Sequence, residues 1–170
     1  MTESSCVRKA ALPELSSLLT LAAAAQEKLT RAGSEQQIAG YSEQNVRARI
    51  ERGELWVLEV SGGVIGSAFV EPVTPERFPQ IVDWNAVSDG CSAWFLYGLV
   101  VHPEQQGRGW GRVILDGICR QLKPNAPAVL LLDCWAGNAK LRSFYTDARF
   151  ALHSVFPESD FEVAVFKRNF

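Results

Sequence analysis

Leu99-Val100-Val101-His102-Pro103-Glu104-Gln105-Gln106-Gly107-Arg108-Gly109-Trp110-Gly111-Arg112 holds the decisive turn of this chain. An apolar run ends at Val101, and Pro103 turns the backbone. Three alternating glycines then open a helical period with Val113, Ile114, Ile118 and Leu122 on one face. The first amides of a helix have no partner within it and carry partial positive charge. Glycine lets an anion approach them closely. Arg108 and Arg112 add charge, so the turn reads as a cradle for phosphate. The plainer alternative is a glycine-rich turn with no ligand. No Lys-Ser or Lys-Thr follows the glycines, which disfavours a nucleotide-hydrolysing P-loop. Asp133 is the only acidic residue at the end of the next strand, too far from an initial βαβ unit for a dinucleotide fold.

Outward from the turn, Ala93–Val101 is apolar apart from Tyr97 and Gly98 and reads as a buried central strand. The helix that follows runs from about Gly109 to Leu122 and ends at Lys123-Pro124-Asn125. Ala128–Trp135 is a second buried strand, Asn138–Ala148 a helix. Phe150–Phe156 and Phe161–Lys167 form a last antiparallel pair joined by residues 157–160. Upstream, Val7–Ala10 reads as a short strand. Pro13 and the spacing of Leu15, Leu18, Leu19, Ala22 and Ala23 predict a helix to about Leu29. Ser42 is placed to cap a second helix ending near Gly53. Glu54–Val60 and Val64–Val70 make a hairpin around Ser61-Gly62-Gly63. The stretch Glu71–Cys91 holds several prolines and no period, and reads as a long connection, either a binding loop or a surface insertion. The crossover around Gly109 predicts one parallel pair in a mostly antiparallel sheet.

A length of 170 residues suits one domain, and 47% hydrophobic with 21% charged residues is ordinary globular composition. Net charge is −2 and the isoelectric point about 5.7, which makes nucleic acid a poor general partner. The apolar run Leu18–Ala25 is too short to span a bilayer and lacks the basic flank of a signal peptide. No membrane and a cytoplasmic location are therefore expected. The four cysteines are scattered, and neither they nor the two histidines show ligand spacing, so no metal and no disulfide framework is expected.

Gln106-Gly107-Arg108-Gly109-Trp110-Gly111 resembles the Gln/Arg-x-x-Gly-x-Gly/Ala signature of the GNAT superfamily of N-acetyltransferases. Val101-His102-Pro103 is similar to that family's strand exit. Asn138, Leu141, Phe144, Tyr145 and Phe150 resemble its second motif. The resemblance covers roughly residues 54–168, and more loosely the two N-terminal helices. It implies one domain over 1–170 of the α+β (three-layer α/β) class, with a mixed, mostly antiparallel central sheet and helices on both faces. The chain departs from the family at Arg149, where a glycine is usual, and in having no Glu or Asp on Ala93–Val101.

What the resemblance implies for function is direct transfer of an acetyl group from acetyl-coenzyme A, as cosubstrate, to a primary amine of a small molecule or peptide. The pyrophosphate belongs on the amides of Gly107, Arg108, Gly109, Trp110, Gly111 and Arg112, next to Gln106. The pantetheine arm belongs on the backbone of Leu99 and Val101, where an amide also serves the thioester oxyanion. Asn138 faces the arm or the amine, or caps its helix, or both. Tyr145 is the general acid, against a plain packing tyrosine. For the general base Asp133 leads, ahead of Glu71, Asp83 and Tyr97, which read as a solvated or water-mediated second tier. Cys134 reads as buried and inert, His102 as a turn residue, Trp135 as core and Trp84 as a pocket wall. A coenzyme A-binding module without turnover is the competing reading, kept by the missing strand carboxylate. Transfer to charged tRNA is a third, opposed by the acidic balance. Apolar sheet edges make a homodimer a reasonable expectation.

Overall fold

The computed structural model describes residues 4–34, 36–122 and 127–170. They fall into two compact units, Met1–Val70 with Tyr97–Gln121, and Glu71–Leu96 with Leu122–Phe170. The predicted helix stop at Lys123-Pro124-Asn125 lies outside the described residues.

The first unit begins with β1 (Ser5–Lys9), a 3-10 turn at Leu12–Glu14 and α1 (Leu15–Arg31). Leu18, Leu21, Ala22 and Ala25 are its buried residues, one stripe at helical spacing. In α2 (Glu43–Glu51) the Ser42 Oγ accepts from the Asn45 amide, which fulfils the expected cap. β2 (Leu55–Val60) and the start of β3 (Gly63–Pro72) form the hairpin. Its turn is Ser61-Gly62, with φ of 51° and 82°, the positive pair that suits the twist of two-residue hairpins. Leu18, Val46, Ile50, Leu55, Val57 and Phe69 form the core of this unit, with Tyr41 and Tyr97 packed against it. α4 (Trp110–Gln121) buries Ile114, Leu115 and Ile118.

The second unit contains α3 (Pro79–Trp84), the first half of β4 (Ser92–Val101), β5 (Ala128–Trp135), α5 (Ala139–Asp147), β6 (Ala151–Glu158) and β7 (Phe161–Asn169). The stretch Glu71–Cys91, expected as one long connection, is partly ordered. β3 continues to Pro72, and α3 is a helix of six residues with Pro79 in its first turn. Ile81 and Trp84 are its buried residues. Trp84 stacks on Phe156 at 5.9 Å and meets Phe95 at 6.2 Å, and its carbonyl is 2.7 Å from His153 Nε2. The last hairpin is longer than expected: both strands extend, leaving Ser159-Asp160 as the turn, with Ser159 at φ 55°.

The strands join as one seven-stranded sheet in the order β1-β2-β3-β4-β5-β7-β6. β4 and β5 run parallel, as the crossover predicted, and the other described pairs run antiparallel. The fold class is the mixed, mostly antiparallel one read from the sequence.

Arg149 shows what its departure from glycine does. α5 ends with the Phe150 amide donating to the Tyr145 carbonyl and the Arg149 amide donating to Thr146, both at 3.0 Å. This double closure is the Schellman pattern, and it places Arg149 at φ 69°. A side chain there costs about 1 kcal/mol against glycine. Arg149→Gly is therefore expected to raise stability by about 0.5–1 kcal/mol, since glycine loses part of the gain in unfolded-chain entropy. A thermal melt checks it, and a lower midpoint would contradict it.

Candidate active site

In the first unit the turn is tied back to the strand it leaves. The His102 amide donates to the Ile65 carbonyl at 2.7 Å, and His102 Nδ1 accepts from the Glu104 amide at 3.3 Å. This makes His102 the turn residue expected. Gln106 Nε2 donates to the Val101 carbonyl at 3.0 Å, so the signature glutamine closes the loop upon its strand. Lys28 Nζ, from α1, reaches the Pro103 carbonyl at 3.2 Å.

Gly107 and Gly109 stand at φ 78° and 82°, a conformation glycine adopts without steric cost. A methyl group built on either would meet nothing within 4 Å, so the approach to these amides is open. Within the turn the Gln105 amide donates to the His102 carbonyl at 2.8 Å, and the Arg112 and Val113 amides both donate to the Gly109 carbonyl. Amides that open a helix have no partner within it, so those around Gly109 and Trp110 suit an outside acceptor. Trp110 Nε1, on the first residue of α4, is buried without a hydrogen-bond partner among the described residues. Such a donor costs free energy unless a ligand satisfies it. Arg108 hydrogen-bonds Gln105 at 2.7 Å, and Arg112 stands 3.8 Å from Asp116, so both guanidinium groups are held beside the turn. These features fit a pyrophosphate.

The parallel pairing of β4 with β5 joins Ser92–Phe95 to Ala128–Leu131. Leu99 and Val101 lie past it in sequence, in the first unit.

The second unit gathers Asp133, Cys134, Arg142 and Tyr145. Asp133 is half-buried on β5, opposite Val165 of β7. Burial, reinforced by the charge of Glu158, raises its carboxyl from the ordinary 3.8 to about 6. Cys134 is buried, and its thiol is pushed up to about 11 by burial and by Asp133, with Arg142 opposing. It is a protonated thiol at neutral pH and not an activated nucleophile. Tyr145 is buried among Phe144, Phe150 and Phe166, at ring distances of 5.3, 6.1 and 5.7 Å. Burial, then Cys134 and Asp133, raise its hydroxyl well above the ordinary tyrosine value. Asn138 Oδ1 accepts from the Leu141 amide at 3.0 Å, so Asn138 caps α5.

The Asp133 carboxyl makes stability depend on pH. Its folded value lies above its unfolded one, so the folded chain holds this proton more tightly between pH 3.8 and about 6. Stability from this group is highest below that window, falls as pH rises through it, and is fully lost above it. Asp133→Asn is expected to flatten that fall and to stabilise the chain at neutral pH by up to about 3 kcal/mol. Denaturant titrations at pH 4 and pH 7 check this, and an unchanged difference between the two would contradict it.

A family model, the acetyltransferase (GNAT) domain, matches residues 51–150. That span is more than half of the chain and includes the cradle, Asp133, Asn138 and Tyr145. The chain belongs to the GNAT acetyltransferase family. Solved structures agree on the fold. A GNAT-family acetyltransferase from Listeria monocytogenes is 19% identical, with 100% of this chain and 99% of that one covered and a TM-score of 0.76. One from Streptococcus agalactiae is 16% identical, covering 96% and 94%, with a TM-score of 0.75. The PaiA N-acetyltransferase of Thermoplasma acidophilum, solved with coenzyme A, is 17% identical, covering 98% and 99%, with a TM-score of 0.69. No curated protein matches the sequence.

Within this GNAT chain some sequence expectations reverse. Trp84, expected as a pocket wall, is 7% exposed and part of the core. Trp135, expected as core, is 57% exposed at the end of β5. Glu71, read as a solvated carboxylate, is 3% exposed and paired with Arg77 at 2.7 Å. Its charge is compensated in place, which suits a structural ion pair more than a mobile base. Asp83 is exposed on α3, and Tyr97 is stacked on Phe69 at 4.9 Å. Arg142 and the indole N–H of Trp110 were not singled out by sequence. No spacing rule points to either, since one acts through a tertiary neighbour and the other through what it lacks. No helix among the described residues is long and apolar enough to cross a membrane, and no group of metal-ligating side chains is present among them.

Proposed function

We propose that this chain is an acetyl-coenzyme A-dependent N-acetyltransferase, moving the acetyl group directly to a primary amine of an acceptor. The observation that carries this reading is the open Gly107–Arg112 cradle at the start of α4 in a chain of the GNAT family. The coenzyme A seen in the Thermoplasma protein supports the choice of donor. The turn's amides and the two arginines hold the pyrophosphate. The backbone of Leu99 and Val101 hydrogen-bonds the pantetheine arm, and a β4 amide favours the thioester oxygen as it gains charge.

Tyr145 keeps its proton throughout the neutral range. The departing thiol has a pKa of about 8.5 by analogy with cysteine. Full transfer from so weak an acid is uphill, so Tyr145 acts mainly by donating a hydrogen bond to the sulfur as it becomes negative. Asp133 at about 6 is ionised at neutral pH and accepts the proton the amine must lose, directly or through water. Asn138 caps α5 and so holds that helix in place to present Tyr145. The whole chain works as one catalytic domain, and the acceptor is a small molecule or a peptide.

The test is thiol release from acetyl-coenzyme A with a panel of polyamines, amino acids, aminoglycosides and peptides. An amine that speeds release, with an acid limb near pH 6 that Asp133→Asn removes, is the expected result. Binding of acetyl-coenzyme A with no release for any amine would favour a coenzyme A-binding module instead.

A further inference from the structure

Gly98 interrupts β4 at φ 60°, so its peptide does not follow the regular strand. Its carbonyl accepts a hydrogen bond from the Tyr41 hydroxyl at 2.8 Å. The same hydroxyl lies 2.7 Å from Ser67 Oγ on β3, and the Ser67 side chain is fully buried. Tyr41 belongs to the α1–α2 connection, which lies directly on the kink: a methyl group at Gly98 would come within 2.7 Å of the Ala39 carbonyl. Gln26 of α1 holds the connection in turn. Its Nε2 donates to the Gln36 carbonyl at 3.0 Å, and its Oε1 accepts from the Ile38 amide at 2.8 Å. Burial raises the Tyr41 hydroxyl far above the ordinary tyrosine value, so it remains a donor at any working pH.

The peptide that joins Gly98 to Leu99 is planar and trans. Its C=O and its N–H therefore point in opposite directions, and whatever fixes the Gly98 carbonyl fixes the Leu99 N–H. We propose that Tyr41 is a positioning residue for acyl transfer: by holding the Gly98 carbonyl it aims the Leu99 amide at the thioester oxygen. The inference deepens the acetyl-coenzyme A reading and rests on it. A hydrogen bond accepted at the carbonyl also polarises the peptide and strengthens its N–H as a donor. Tyr41 thus orients the amide and sharpens it without touching the substrate.

The test needs no acceptor. Acetyl-coenzyme A labelled with carbon-13 at the acetyl carbonyl is bound to the protein, and the carbonyl stretch is read by difference infrared spectroscopy. In the wild type the band is expected below its position in free acetyl-coenzyme A. In Tyr41→Phe it returns to the free position, while unacetylated coenzyme A, which has no carbonyl to aim at, binds within about two-fold of the wild type. Ser67→Ala leaves the Tyr41–Gly98 bond in place and keeps the shift. A chain carrying 3-fluorotyrosine at position 41 keeps the ring and hydroxyl but donates more strongly, and moves the band further down. It serves as the test should Tyr41→Phe fail to fold.

An identical band in the wild type, Tyr41→Phe and the fluorinated chain overturns the proposal. A wild-type band at the free position also overturns it, while leaving the donor assignment standing. Failure of the wild type to bind acetyl-coenzyme A at all removes the underlying reading, and is seen separately in the titration that precedes the spectra.

Discussion

Gly109→Glu is expected to weaken acetyl-coenzyme A binding at least ~100-fold, which in a titration reads as loss of binding. Two effects act together. A carboxylate at the mouth of the cradle repels the pyrophosphate where the local dielectric is below that of water. The side chain also occupies space that is open in the native turn. Folding should suffer little, because the position is exposed and an acidic group near a helix N-terminus is favourable. Any non-glycine residue at φ 82° costs about 1 kcal/mol. Gly109→Ala carries that strain without the charge, and is expected to bind acetyl-coenzyme A within about ten-fold of the wild type by the same estimate. The pair separates backbone strain from electrostatics. Native-like affinity in Gly109→Glu would place the phosphates elsewhere on the protein.

Tyr145→Phe is expected to lower kcat by about 10²- to 10³-fold, with acetyl-coenzyme A affinity within about two-fold of the wild type. The ring does the packing against Phe144, Phe150 and Phe166, and phenylalanine preserves it. What is lost is one proton donor, needed only as negative charge collects on sulfur. A loss that falls on kcat and not on ground-state binding is the mark of an interaction made in the transition state. Thiol release with an active amine, alongside a titration, measures both quantities. An unaltered kcat would leave Tyr145 a packing residue, and a large rise in Kd would make it a binding residue instead.

Elements with a long period could be read from sequence, and short or tertiary features could not. α1 was legible because Leu15, Leu18, Leu19, Ala22 and Ala23 keep a helical period, although the face it buries is turned toward Leu21 and Ala25 and leaves Ala23 exposed. α3 was not, since six residues give only Ile81 and Trp84 as a buried pair, against a background of prolines. Arg149 was legible as a departure from the family motif, while its positive φ appears only once the double closure of α5 is seen.

The site divides in the same way. The cradle is local, so its glycines, its arginines and the helix they open all lie within one short run. Tyr145 was read through the family motif and Asp133 from its place at the end of a buried strand, while the charge that helps raise the Asp133 carboxyl comes from Glu158, on a strand beyond α5. The exposure of Trp135 had an unread signal: it is two residues from Asp133 on one strand, so both share a face, and a carboxylate marks that face as the wetter one. The bond from Tyr41 to Gly98 joins residues far apart in sequence, in a connection with no period at all, and nothing local announces it.

Calorimetric titration of the wild-type protein with acetyl-coenzyme A, with NADH and ATP as controls, tests the central claim most directly. All three ligands carry a pyrophosphate or longer phosphate chain, and one carries the pantetheine arm that Leu99 and Val101 are proposed to receive. Saturable binding of acetyl-coenzyme A, at least ten-fold tighter than either control, is the predicted result. No binding of acetyl-coenzyme A, or equal binding of all three, would contradict the donor assignment and with it the roles given to Tyr145, Asp133 and Asn138.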